Sequence, residues 1–234
     1  MLSLRVRYMH LLAVLLPLLF GACSISQAPP ALELSPEIRQ VVPDRFIKTL
    51  EYLNMPLNLG ENPPSLDGTY QVNPFSLHSS SVRGDIIGQI YSTYLVTFCE
   101  VSDDHPRLKV NYSNGPESGA CFESAITGNG RHFTVFARLR GYYNGYQADL
   151  LHLVSGTLTE GGIQNLYFSS IIIDNYGNPG HNWLDNGHGR VFHDSDGFSP
   201  AVTIPGTIGN GGGQSTESMN RFSVSSAELV PIIR

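Results

Sequence analysis

The chain is poor in tryptophan, cysteine and charge. Its 234 residues include one Trp, Trp183, and three Cys, and only 15% are charged. Basic residues are the scarcer sign, 14 against 20 acidic, for a net charge of −6. That balance disfavours nucleic acid and anionic lipid surfaces as partners. After its N-terminal segment the chain has no run of 18 apolar residues, so no helix long enough to span a bilayer is expected, since a span needs about 20. Several catalytic and binding signatures are missing. Ser155 lies in Val-Ser-Gly-Thr and not in a Gly-x-Ser-x-Gly elbow, so a serine hydrolase has no support. The glycines at 209 and 211–213 are followed by no Lys-Ser/Thr, so they form no phosphate cradle. Asp194-Ser-Asp-Gly197 is a fragment of a calcium loop, but Phe192 and Thr203 stand where an EF-hand needs acids. No cofactor is expected.

The N-terminus is the most informative stretch. Residues 1–8 carry Arg5 and Arg7 and no acid, and Leu11 to Phe20 is apolar apart from Pro17. A positive start, a short apolar core and a small-residue exit make a secretory signal. Gly21-Ala22 runs directly into Cys23, which resembles the lipobox of bacterial lipoproteins. That resemblance implies cleavage after residue 22, acylation of Cys23 and attachment to the membrane through its lipid. Ser24 in place of Asp implies sorting to the outer membrane, on either face. Two or three acyl chains suffice for stable anchoring. Residues 23–35 then form a tether, and 36–234 a single domain. About 12 flexible residues span only ~20 Å, so the domain is held close to the bilayer. Without residues 1–22 the net charge is near −8.

Glycine is abundant (24) and proline frequent (15), as in a turn-rich, strand-rich domain. One helix is expected, over 36–54. Ser35-Pro36-Glu37 is an N-terminal signal, and Ile38, Val42, Phe46, Leu50 and Leu53 form one apolar stripe, with a kink near Pro43. The periodicity then changes to two. Strands are expected at 68–72, 89–99, 108–113, 120–127, 133–140, 150–154, 166–173, 189–193 and 219–230. The pattern of about nine strands predicts an antiparallel β-barrel, or failing that a β-sandwich. The 150–154 and 166–173 strands are apolar on both faces. They require a second cover, either the helix or a partner protein meeting the region near Leu153 and Ile172. Phe98-Cys99 and Cys121-Phe122 pair each cysteine with a phenylalanine on the opposite face. If both rings point inward, Cys99 and Cys121 are candidates for an outward-facing disulfide contributing ~3 kcal/mol.

Three segments, Asn62-Pro-Pro-Ser-Leu-Asp-Gly-Thr-Tyr70, the 154–168 region and Gly189-Arg-Val-Phe-His-Asp-Ser-Asp-Gly197, together resemble a group of uncharacterised lipoproteins of gut-type Gram-negative bacteria. The resemblance implies a calycin-like, lipocalin-type barrel and carries no activity with it.

Three readings of function follow. The first is non-catalytic binding of a small apolar ligand in the barrel, or of a glycan or protein at a rim formed by Tyr142, Tyr143, Tyr146 and Trp183. The second is an accessory structural subunit of an envelope complex. The third is a hydrolase using His193, Asp194 or Asp196. His188, His193, Asp194 and Asp196 are the best metal-ligand candidates. They match no helical ligand spacing, and the surrounding glycines favour turns, so no metal is expected.

Overall fold

A computed structural model describes residues 32, 34–102 and 106–204. The predicted signal, Cys23, most of the tether, the glycine-rich 209–213 segment and the expected 219–230 strand lie outside the described residues.

Ser35 starts the first helix, α1 (Pro36–Val41), and its hydroxyl accepts the Ile38 N–H. Val42 is extended and Pro43 follows. A proline ring excludes continuous helix at that point. A 3-10 turn (Asp44–Phe46) leads into α2 (Ile47–Leu53), which ends at Asn54 in the left-handed conformation. The stripe is therefore carried by two short helices. Ile38, Val41, Val42, Phe46, Leu50 and Leu53 are all buried.

Twelve strands follow among the described residues: β1 (Glu61–Asn62), β2 (Gly68–Val72), β3 (Phe75–Ser80), β4 (Ile90–Tyr91), β5 (Tyr94–Ser102) and β6 (Pro106–Asn114) in the first half. The second half has β7 (Glu117–Asn129), β8 (His132–Tyr143), β9 (Tyr146–Thr159), β10 (Gly162–Asp174), β11 (Gly189–Asp194) and β12 (Phe198–Val202). They form one mainly antiparallel sheet, ordered β12-β2-β5-β6-β7-β8-β9-β10-β11-β3-β4. β12 pairs with β2 at Ala201–Tyr70 and with β10 at Ile163–Ser199. β1 adds the only parallel pairing among the described residues, to β7. The chain breaks between β2 and β3 at Asn73-Pro74, and between β11 and β12 at the Asp194–Gly197 turn. The Ser195 N–H donates to the Pro74 carbonyl, fastening one break to the other.

Strand parity sorts the core. Tyr94, Val96 and Phe98 on β5, Val110 and Tyr112 on β6, and Phe133, Val135, Ala137 and Leu139 on β8 share one buried cluster with Phe75, Phe168 and Phe192. The rings pack edge to face or stacked, as at Phe75–Phe192 (4.4 Å) and Phe98–Phe133 (6.3 Å). On the opposite face Phe136, Leu151, Leu153, Ile171 and Val191 are also fully buried. α1 lies against β7 and β8, and α2 against β11. The helices thus lie against the strands on either side of β9 and β10, and both Leu153, on the outer face, and Ile172, in the interior cluster, are buried. No helix among the described residues is long and apolar enough to cross a membrane.

The structure differs from the sequence reading in three respects. β1, β3 and β12 are additional strands, and the strand expected at 89–99 is divided into β4 and β5: the flanking Pro74 and the polar Ser79-Ser80 mask the Phe75/Leu77 alternation, and Pro200 masks β12. The 133–140 strand alternates so that Thr134, Phe136, Arg138 and Arg140 share the half-polar face expected to be wet, yet Phe136 is buried. Finally, Cys99 and Cys121 are free thiols on β5 and β7, with β6 between those strands. The parity argument holds at Phe98 and fails at Phe122, which is 54% exposed under the Arg138 guanidinium. Cys121 turns inward opposite Leu139, and a bulge follows it at Glu123. Its sulfur accepts the Val110 N–H and its thiol donates to the Leu108 carbonyl. Burial pushes both thiols above their ordinary range.

Candidate functional site

The pairs Tyr94–Asn114, Asn114–Glu117, Glu117–Tyr143 and Tyr143–Tyr146 follow one another across β5 to β9. Asp149–Asp174, Ile171–Gly189 and Arg190–Ser80 continue the row to β3. All the connections beyond this row meet at one end of the sheet: residues 81–89, the 115–116 and 144–145 turns, and 175–188.

The 175–188 connection is built on side-chain amides. Asn175 Nδ2 donates to the Leu184 carbonyl, and the Asn175 N–H donates to Asn186 Oδ1. Asn178 Nδ2 donates to the Trp183 carbonyl, and its Oδ1 accepts the Trp183 N–H. Trp183 Nε1 donates to the Tyr146 carbonyl, and its ring meets Tyr143 edge-on at 6.2 Å. Gly141 makes this approach possible. A Cβ there would lie 2.6 Å from Leu150 Cδ1, 2.7 Å from Tyr112 Oη and 3.2 Å from Trp183 Cη2. Of the predicted aromatic rim, Tyr143, Tyr146 and Trp183 thus come together. Tyr142 points outward, exposed, on the face that carries the Arg140–Asp149 pair (3.0 Å) and Tyr176.

Two clefts open at this end and share His188. One, of about 330 Å³, is lined by Lys48, Thr49, Tyr52, Ser81, Gly187 and His188. The other, of about 390 Å³, is lined by Val82, Arg83, Trp183, Leu184, Asp185 and His188. His188 Nδ1 lies 3.3 Å from Ser81 Oγ, which ties the two walls. Tyr52 on α2 is 70% exposed. On a chain of net charge −6 these clefts carry Lys48 and Arg83 against one acid, Asp185.

Beneath this end the interior holds polar groups among rings. The Tyr112 hydroxyl donates to Glu117 Oε1 at 2.8 Å, and burial pushes the Glu117 carboxyl up to about 7. The His152 ring sits between Tyr112 (4.5 Å) and Phe168 (4.7 Å) with no hydrogen-bond partner at either nitrogen. Desolvation drives its pKa down to about 3, so it is neutral. The Tyr94 hydroxyl is also buried without a partner. Sequence reasoning missed this cluster. The available signal was a histidine inside Leu150-Leu-His-Leu-Val154, a run otherwise apolar on both faces. The Lys48, Tyr52 and Arg83 contributions to the clefts had no sequence signal at all.

The metal and hydrolase candidates are dispersed. His193 stacks on Tyr167 (5.7 Å) and lies 5.2 Å from the His78 ring. Asp194 is buried one strand position further on, accepting the Ser199 hydroxyl at 2.7 Å and the Asn73 N–H. Consecutive strand positions put His193 and Asp194 on opposite faces. Asp196 accepts the Phe198 N–H in the turn. Among the described residues no group of three His, Cys, Asp or Glu could hold a metal ion. Comparison of the chain with protein-family models, curated proteins and solved structures finds no match to any of the three.

Proposed function

We propose that the protein is a lipid-anchored binding module of the outer membrane, built on a calycin-like barrel, and that it holds an acidic oligosaccharide in the two clefts joined at His188. Closure of the barrel is supported by the two partners of β12, which link the β2 and β10 sides of the sheet. The anchor is supported by the Gly21-Ala22-Cys23 sequence. Placement of the ligand outside the barrel is supported by an interior occupied by fully buried rings.

The observation that carries the reading is the lining of the clefts. Tyr52 offers an exposed ring with a polar tip and Trp183 offers ring area, its Nε1 being held by the Tyr146 carbonyl. The Thr49 hydroxyl, which donates to the Gly187 carbonyl, keeps its acceptor side, and His188, bonded to Ser81 through Nδ1, keeps its Nε2. Lys48 and Arg83 offer charge to a carboxylate or phosphate on the sugar. A bound apolar molecule would have no counterpart for these groups. Binding of the mature protein to an array of acidic and neutral bacterial glycans tests the reading. Acidic glycans should be retained by the wild type and lost by Trp183→Ala. A blank array, or retention independent of Trp183, removes it.

A further inference from the structure

We propose that the segment 82–91 is a second membrane contact, placing Ile86, Ile87 and Ile90 in the bilayer that holds the acylated Cys23. This deepens the anchored reading above and rests on it for the choice of a lipid surface as occupant.

Three isoleucines within five residues are 69%, 59% and 54% exposed. Their exposure is built in by hydrogen bonds. Asp85 accepts a bidentate pair from Arg190, at 2.7 and 2.8 Å, and the Ser80 hydroxyl. Gly88 N–H donates to the Leu77 carbonyl, Gln89 N–H to that of Ile86, and Leu77 N–H to that of Gln89. Gly84 and Gly88 take positive φ and permit the tight path. Asp85 and the backbone of the segment are thus tied to the protein, and its three isoleucines face outward, with Arg83 turned to the neighbouring cleft. Such a patch marks an interaction surface.

The occupant follows from the chain's other end. On the anchored reading only ten residues separate Cys23 from the buried Leu34, and a chain of about that length, if flexible, reaches no more than ~20 Å. A domain held that close meets the bilayer before any other surface. The mature charge near −8 disfavours an anionic surface, so contact is by insertion into zwitterionic lipid and not by charge.

The test uses the mature chain from Cys23, made unacylated by Cys23→Ser so that the anchor cannot contribute. Co-sedimentation with phosphatidylethanolamine–phosphatidylcholine vesicles should show partition at least tenfold weaker for Ile86→Ser/Ile87→Ser/Ile90→Ser than for its parent. Circular dichroism checks that the triple variant is folded. Trp183 shares a cleft with Val82 and Arg83. In acylated protein bound to brominated-lipid vesicles, its fluorescence should be quenched, and the triple variant should relieve the quenching. Equal partition of the two proteins, or none by the parent, overturns the proposal. So does a dimer that the triple variant dissociates, which would assign the patch to a second copy. If Cys23 proves unacylated in cells while the unacylated chain still partitions through Ile86–Ile90, the anchor fails and the contact stands.

Discussion

Buried His152 and partly buried Glu117, beneath the clefts, should pull stability in opposite directions with pH. His152 titrates near 6.5 when exposed and at about 3 in the fold, because burial penalises its charged form. Between these values the unfolded ring binds a proton that the folded ring refuses, so stability rises with pH by about 1.4 kcal/mol per unit. At pH 5 the cost of keeping this ring neutral is about 2 kcal/mol. Glu117 titrates near 4.5 when exposed and at about 7 in place, again through burial. Between those values the folded carboxyl keeps a proton that the unfolded one releases, so stability falls with pH at a similar slope. The two slopes offset each other from about pH 4.5 to 6.5. Removing either group exposes the other. Relative to wild type, His152→Leu should lose about 3 kcal/mol across that window as pH rises, and Glu117→Gln should gain about 3 kcal/mol. His152→Leu should also be more stable than wild type at pH 5, since it deletes two unpartnered buried nitrogens. Equilibrium urea unfolding at half-unit steps from pH 4 to 8 measures all three proteins. Profiles of both variants running parallel to wild type would refute the reasoning.

Three further outcomes are expected. Gly141→Ala should destabilise by about 1–3 kcal/mol through overpacking and shift the emission of Trp183, which its Cβ would touch; an unchanged spectrum contradicts the packing described. Phe46→Ala should cost about 3–5 kcal/mol in thermal or urea unfolding, because the ring is buried in the helical cover; a change near zero would mean that the helices do not dock. Unfolded Cys23→Ser protein, never exposed to reductant, should titrate with two thiols, Cys99 and Cys121, and a count of zero would restore the disulfide.

Much of this fold was legible from parity. Phe133 to Leu139 and Tyr94 to Phe98 face inward because successive strand residues alternate. The two doubly apolar strands are buried on both faces, as their pattern required, and the Ile38–Leu53 stripe docks beside them on β7, β8 and β11. Reasoning from parity failed at bulges and breaks. One extra residue after Cys121 rotates Phe122 to solvent, and a bulge leaves no mark in composition. β3 and β12 were missed because each begins at a break, and their pairing depends on residues more than 100 positions away, such as Arg190–Ser80. The site was half legible. The expected rim put the tyrosine and Trp183 loops at one end of the barrel, and Tyr143, Tyr146 and Trp183 do meet. The clefts draw on α2, β3 and the 175–188 connection, which meet only in three dimensions. The Ile86-Ile87 pair was visible as sequence, but its exposure depends on the distant Arg190 holding Asp85.

The most direct test of recognition at the clefts is the emission of Trp183 during titration with an acidic bacterial oligosaccharide. As the only tryptophan it reports one wall of one cleft. The clefts meet at His188, so an extended ligand should change its emission saturably, and Tyr52→Ala, on the far wall, should weaken the apparent affinity by about tenfold (about 1.4 kcal/mol). Saturable binding of a fluorescent fatty acid that leaves Trp183 and the Tyr52→Ala variant unaffected would put the ligand elsewhere and contradict the account.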